Sequence, residues 1–162
     1  MSSSGLSGIV SNPFMYPATL AMHLWPEGLN KWHPGRHLLL ASAKIAHAVR
    51  RGNGRLIISM PPRHGKSRLV SETTVPWFLQ EFPGKHVMLT CYNADKAEEF
   101  GRKARDIIVN REDLFTARVR RDVSRVDHFE TVQGSEANFV GLNGGMTGKG
   151  AHLIIVDDFI KN

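Results

Sequence analysis

The feature that most constrains this chain is the loop at residues 60–67, which reads Met-Pro-Pro-Arg-His-Gly-Lys-Ser and follows the apolar run Arg55-Leu-Ile-Ile-Ser59. A residue before proline is pushed toward extended geometry, so Met60 suits the last position of a strand, and Ser67 opens a pattern of helical period. A strand, a tight glycine loop and a helix in this order are typical of a phosphate-binding loop. The sequence therefore predicts an α/β fold in which this loop joins a strand to a helix.

The loop also predicts the chemistry of its ligand. Backbone amides of residues 63–67, which include His64 and Gly65, would surround a β-phosphate, and the Lys66 ammonium would contact the β- and γ-oxygens. The Ser67 hydroxyl would coordinate Mg²⁺. The usual pattern has glycine at the position of Met60, so the loop alone also fits a surface turn that contains Gly-Lys-Ser by chance. With its context, it predicts a nucleoside triphosphate, ATP, as the cofactor together with Mg²⁺.

A second motif lies about ninety residues downstream. The aliphatic run Leu153-Ile-Ile-Val156 ends in Asp157 and Asp158, the pattern of a Walker B strand. Asp157 would hold the metal beside Ser67, and Asp158 would orient or deprotonate the attacking water. Taken by itself, the run is explained more simply as an ordinary strand followed by a turn. The loop at residues 60–67 makes this simpler explanation less favoured, because the two motifs occur together in nucleotide-binding proteins.

Composition narrows the class of protein. With 162 residues, 41% of them apolar and 22% charged, the chain suits one globular domain and contains no apolar stretch long enough to cross a membrane. We expect a flexible tail at residues 1–12 and a partial P-loop ATPase domain at residues 13–162. The single cysteine, Cys91, lies in an apolar run and is expected to be a buried thiol, which fits a reducing cytosol.

The net charge of +6 and the pI near 9.8 favour anionic partners. Eight lysines and arginines lie between residues 102 and 125, with fewer acids among them. They fit either a solvated helix face or a surface that contacts DNA backbone or a neighbouring subunit.

The element pattern predicts a P-loop NTPase-like three-layer sandwich with a mostly parallel central sheet. Asn93 is a good amino-terminal cap, Gly52 can end the first long helix, and Pro76 predicts a kink or an early end in the helix after the loop. The predicted helices cover residues 34–51, 67–82 and 94–110; the predicted strands cover residues 56–59, 86–92, 128–133, 138–142 and 153–156.

Three segments together resemble the ATPase domain of phage terminase large subunits: the Pro-Pro-Arg-His-Gly-Lys-Ser loop, the Thr147-Gly-Lys-Gly-Ala151 turn and the closing Leu153-Ile-Ile-Val-Asp-Asp-Phe-Ile-Lys-Asn162. The resemblance covers roughly residues 30–162. It implies a motor that packs double-stranded DNA in the host cytoplasm, assembled as a homo-oligomeric ring with a portal and a small terminase subunit.

The resemblance also implies roles for individual residues. Arg63 would contact the γ-phosphate from within the loop, and the segment from Trp32 to Leu38 looks like the adenine side of the site, so Trp32 and His37 would flank the base. Trp32 fits equally well as a core aromatic. Lys149, in the glycine-rich turn, is a candidate for a cation that stabilises the transition state, although a solvent-exposed turn lysine explains it too.

Two departures from the family pattern stand out. Asp158 occupies the position where many motor ATPases have glutamate, and Phe159 stands where relatives often have proline. The chain also ends four residues after Asp158, so we expect a fragment that lacks the nuclease domain and the last core strands, with the Walker B strand near a sheet edge. Alternatives are another P-loop ATPase of helicase-like or AAA type, and a nucleotide-binding module without turnover.

Overall fold

The computed structural model describes residues 12–27, 31–142 and 150–158. The predicted tail lies almost wholly outside these residues, and so do Thr147 and Lys149. The chain divides into two compact units, Met1–Leu69 and Val70–Asn162, and each has its own organisation.

Among its described residues, the first unit includes helix α1 at Pro17–Leu24 and helix α2 at Arg36–Arg51. The buried residues of α2 recur every three or four positions, at Leu38, Ala41, Ile45 and Ala46, which gives the helix one apolar face. Gly52 follows with a φ of 73°, as expected for the residue that ends the helix. The prediction of this helix is confirmed, with its start at Arg36.

The predicted strand at residues 56–59 is wrong, because residues 54–61 form neither a helix nor a strand. Leu56 is 43% exposed and Ile57 is 96% exposed. Aliphatic residues favour a strand only when a neighbouring strand takes their backbone hydrogen bonds and buries their side chains. The described sheet includes no strand from this segment.

A helical run follows the loop from residue 66 to Glu81. It contains a π-helical segment, Arg68–Thr73, and then α3 at Thr74–Glu81. Pro76 lies inside α3, so the predicted early end is wrong. Because proline has no backbone N–H for the preceding turn, we attribute the wider π turn just before it to this missing hydrogen bond.

The second unit is built on a five-stranded sheet with the order β2-β3-β4-β1-β5. β1 pairs in parallel with both β4 and β5, whereas β3 pairs antiparallel with both β2 and β4. The sheet is therefore mixed, which corrects the expectation of a mostly parallel one. The short links between β2, β3 and β4 leave room only for antiparallel neighbours, since a parallel connection needs a dozen or more residues. The strands are β1 His86–Cys91, β2 Val119–Ser124, β3 His128–Thr131, β4 Glu136–Gly141 and β5 Leu153–Asp157.

Helix α4, at Ala94–Asn110, packs on this sheet. Its cap is the predicted one, since the Asn93 side chain accepts a hydrogen bond from the backbone N–H of Asp95 at 2.8 Å. Gly101 lets the helix approach the chain before β3, because a Cβ there would lie 1.8 Å from the Val126 carbonyl oxygen. The α/β class is thus confirmed, as are the strand at β1, the buried Cys91 and the β3-β4 hairpin.

β5 lies at one edge of the sheet, as expected from the sequence. Ile155 and Asp157 are buried, while Ile154 and Val156 are 56% and 53% exposed. The strand thus buries one face only. None of the described helices is long and apolar enough to span a bilayer.

Candidate nucleotide site

The loop before the helical run has the backbone of an anion-binding turn. Arg63 and Gly65 have left-handed φ angles of 63° and 85°, and His64 between them does not. An alternation of this kind directs successive backbone N–H groups toward one concave side, where an anion can accept from them. The helical run begins directly afterwards, and the Leu69 N–H donates to the Gly65 carbonyl at 3.1 Å.

Contacts with α2 hold this loop in place. The His37 ring nitrogen Nε2 lies 3.3 Å from the His64 carbonyl oxygen, and because a carbonyl can only accept, this nitrogen carries the proton. A Cβ on Gly65 would lie 3.0 Å from Leu38 Cδ1, so the loop backbone approaches α2 too closely for most side chains there. Gly65 therefore meets two requirements, a positive φ and a close approach.

The side chains of the predicted phosphate site differ in exposure. Arg63 and His64 are exposed, whereas Lys66 and Ser67 are half-buried at the start of the helical run. His37, predicted on the adenine side, contacts the loop as described. Trp32 is only 8% exposed, and its backbone N–H donates to the Trp25 carbonyl at 3.0 Å. The indole thus belongs to the core of the first unit.

At the carboxyl end of β5, Asp157 is 2% exposed and is anchored by a serine. The Ser71 hydroxyl donates to Asp157 Oδ2 at 2.5 Å, and Ser71 itself is fully buried. A hydrogen bond to a buried carboxylate is about twice as strong as a neutral one, so it fixes the direction of the carboxylate. Sequence reasoning missed Ser71. Its signal was the position four residues after Ser67, one helical turn further on.

Asp158 differs sharply from its neighbour. It is exposed and has a left-handed φ of 46°, and its carbonyl accepts from the Tyr92 N–H at 3.2 Å. This contact ties the ends of β1 and β5 together. The two adjacent carboxylates therefore offer two chemical environments, one buried and oriented, the other open to solvent.

The basic segment at residues 102–125 is largely neutralised by nearby acids. Arg111, Arg120 and Arg125 each pair with an aspartate two residues further along, and Lys103 lies between Glu72 and Glu99 at 2.8 and 2.7 Å. Paired guanidinium groups lower the pKa of Asp113 and of Asp122. The segment is not a single helix face, since part of it forms β2.

The protein ligands available to a metal are few. Across residues 12–27, 31–142 and 150–158, no group of three or more histidine, cysteine, aspartate or glutamate side chains is placed so that it could hold a metal ion. Mg²⁺ bound with a triphosphate needs only one or two protein oxygens, because phosphates and water fill the other positions. A buried, oriented carboxylate such as that of Asp157 suits this chemistry.

Comparison with known proteins adds one finding. Residues 57–162 match the family described as terminase large subunit, T4likevirus-type, N-terminal. The matched region includes both the loop and β5. Comparisons with curated proteins and with solved structures gave no match. The family match covers well over half of the chain and agrees with the resemblance of its motifs. This protein therefore belongs to the family of N-terminal regions of T4likevirus-type terminase large subunits.

Proposed function

We propose that the chain binds ATP with Mg²⁺ and is the ATP-hydrolysing part of a phage DNA-packaging motor. The observation that carries the proposal is the loop at residues 60–67, where left-handed Arg63 and Gly65 precede a helical run that opens with Lys66 and Ser67. Backbone amides, a lysine and a hydroxyl in this order are the groups that bind a β- and γ-phosphate.

The metal would be held from two parts of the sequence. Ser67 would supply a hydroxyl and Asp157 a carboxylate, with Mg²⁺ neutralising charge on the phosphates. The hydrogen bond from Ser71 supports this role for Asp157, because it orients a carboxylate that is otherwise costly to bury. In this scheme Ser71 is a positioning residue.

Hydrolysis requires an activated water and a cation near the γ-phosphate. Asp158, being exposed, would act as the general base, and Arg63, also exposed, would contact the γ-phosphate. His37 would lie on the adenine side of the loop that it contacts. Lys149 stays a further candidate for transition-state stabilisation, although it falls outside the described residues.

In the complete motor, we propose that additional strands extend the sheet beyond β5 into a P-loop sandwich. The half-exposed Ile154 and Val156 support this extension, because a strand edge with apolar residues is a site for further pairing. The assembled protein would act on double-stranded DNA as a homo-oligomeric ring with a portal and a small terminase subunit.

The decisive experiment measures binding of a fluorescent ATP analogue to the 162-residue chain, with and without Mg²⁺. We expect Lys66→Ala to weaken binding about 10- to 100-fold, since a hydrogen bond to a charged group contributes about 1.5–3 kcal/mol. Asp157→Asn should remove the dependence on Mg²⁺. The matched control is Lys85→Ala, an exposed lysine of the second unit, which should bind as the wild type does.

Wild-type affinity in Lys66→Ala would overturn the proposal. Phosphate release distinguishes the alternatives that the sequence leaves open. ATP binding without turnover, even when the rest of a terminase is supplied, would favour a nucleotide-binding module. Turnover stimulated by single-stranded nucleic acid alone would favour a helicase-like enzyme.

A further inference from the structure

The positive charge of this protein is concentrated in its first unit. Residues 1–69 contain nine lysines and arginines and a single acid, Glu27, whereas residues 70–162 contain twelve basic and fourteen acidic residues. The entire positive excess of the chain therefore comes from the first unit. Most of that unit, residues 1–56, also lies outside the region that matches the terminase family.

Helix α2 presents part of this charge in a line. Its exposed face is opposite the buried face formed by Leu38, Ala41 and Ile45. Arg36 begins the line and Arg51 ends it, fifteen residues or about 22 Å away at 1.5 Å per residue. We call this face the α2 basic stripe; its members, spaced three or four residues apart, are Arg36, Leu40, Lys44, His47 and Arg51.

The cations of the stripe are not neutralised locally. Among the described residues, no carboxylate lies within ion-pair distance of Arg36, Lys44 or Arg51, and all three side chains are exposed. Arg50 points elsewhere, because its guanidinium donates to the Met15 carbonyl at 2.8 Å and lies over the Tyr16 ring. The exposed Arg55 follows the helix and is likewise without an ion pair in the described part of the chain.

Helix stability explains Arg51, which lies in the last turn of α2 where the helix dipole favours a cation, but it does not explain Arg36. Arg36 occupies the first position of α2, where the positive end of the helix dipole disfavours a cation, and the first turn contains no acid. The preceding Gly35 provides no side-chain cap. A charge that is locally unfavourable, exposed and unpaired is better explained by a ligand outside the chain.

We propose that the α2 basic stripe, together with Arg55, binds the phosphate backbone of duplex DNA. A row of cations about 22 Å long fits an extended polyanion and exceeds the reach of one compact anion. Contacts of this kind read no base sequence, which suits a protein that must move along DNA. The choice of DNA as the polyanion rests on the proposed function, whereas the location of the surface rests on charge and exposure alone.

The test measures binding of the full chain to a 30-base-pair duplex of arbitrary sequence, without nucleotide, at salt concentrations from 50 to 200 mM. The test variant replaces Arg36, Lys44 and Arg51 with glutamine. The matched control replaces Arg111, Arg120 and Arg125 with glutamine, which removes the same charge from cations that already have aspartate partners.

We expect the stripe variant to bind the duplex at least about tenfold more weakly than the wild type at 100 mM salt. The slope of log K against log salt should become less negative by about 3, because each of the three lost phosphate contacts contributes about 0.9. The control should change affinity less than about twofold. An equal loss of affinity in both variants would show that only net charge matters and would overturn the proposal that the α2 basic stripe binds DNA. No loss in the stripe variant would overturn it as well.

Further measurements separate this inference from the nucleotide site and from misfolding. The stripe variant should keep Mg²⁺-dependent ATP binding, and Lys66→Ala should keep DNA binding. If the triple variant fails to fold, Lys44→Gln alone, at an exposed mid-helix position, should reduce the salt slope by about 1. Tighter binding of poly-glutamate than of DNA would overturn the nucleic-acid assignment in favour of an acidic protein partner.

Discussion

The two units of this chain contain similar numbers of cations but use them differently. In the second unit, six arginines and lysines lie within 3 Å of a carboxylate, and Lys103 does so with both Glu72 and Glu99. In the first unit, the α2 basic stripe faces solvent without such partners. A cation that already has a carboxylate partner must give it up to bind a phosphate, whereas an unpaired cation need only shed water and counterions.

This difference shows why a run of basic residues in a sequence is a poor guide to a binding surface. Residues 102–125 contain the densest group of arginines, yet three of them are followed two positions later by the aspartate that pairs with them. The sparser cations of the α2 basic stripe have no carboxylate partner among the described residues. Local pairing, and not the count of charges, decides where an anion can bind.

The largest effect is expected where the second unit pairs a carboxylate with a hydroxyl. Ser71→Ala removes the donor to Asp157, and we expect the Mg²⁺ concentration for half-maximal nucleotide binding to rise about tenfold, the lower range for loss of a group that orients a metal ligand. Titration of ATP-analogue binding with Mg²⁺ measures this. Ser71→Thr should restore the wild-type value, and binding in the presence of EDTA should be unchanged in both variants.

If Ser71→Ala lowers only the free energy of unfolding and leaves the Mg²⁺ titration unchanged, the hydrogen bond is structural, and Asp157 needs no orientation to bind metal. The pairing seen in the second unit would then serve stability alone.

A smaller effect is expected on the free energy of unfolding when one lysine from each unit is replaced. Lys103→Met keeps the aliphatic stem but removes the cation from Glu72, which is only 13% exposed, and should lower the free energy of unfolding by about 1 kcal/mol. Lys44→Met removes an unpaired, exposed cation and should change it by less than about 0.5 kcal/mol. Denaturation with urea measures both, and equal losses would contradict the contrast between the units.

The third prediction concerns a substitution in the first unit that should raise stability while it weakens DNA binding. Arg36→Glu places an acid in the first turn of α2 and should stabilise the helix by about 0.3–1 kcal/mol through the helix dipole. The same change should weaken DNA binding. Thermal unfolding and the salt-dependent binding assay measure the two effects, and Arg51→Glu, at the other end of the helix, should weaken both stability and binding.

The smallest effect is an acid sensitivity of the second unit. Hydrogen bonds from Lys103 and Lys96 lower the pKa of Glu99 to about 2 from its usual 4.5. Since the folded pKa is the lower one, the stabilising contribution is complete above about pH 4.5 and is lost as the pH falls toward 2. Glu99 is 41% exposed, so the loss should amount to a few tenths of a kcal/mol. Glu99→Gln should flatten the dependence of α4 amide exchange over this range, and an unchanged profile would contradict it.

The elements that the sequence predicted well depend on residues close together in the chain. Helix α4 begins at Ala94 after the Asn93 cap, and α2 ends where Gly52 takes a left-handed conformation. The prediction of a strand at residues 56–59 was wrong because it depended on residues far away in the chain. Aliphatic residues such as these form a strand only if another strand lies beside them. The predicted adenine contact of His37 stays a prediction, with its contact to the loop as support.

By itself, the sequence determined the position of the Gly-Lys-Ser loop before a helical run, the strand β5 that is followed by Asp158, and the family of this protein, because these depend on residue type and on short spacing. Only the tertiary structure decided that Ser71 bonds to Asp157 across 86 residues, that the sheet is mixed, and which cations have carboxylate partners. Those outcomes arise from contacts between segments far apart in the chain, and no local pattern encodes which of many possible partners a side chain meets.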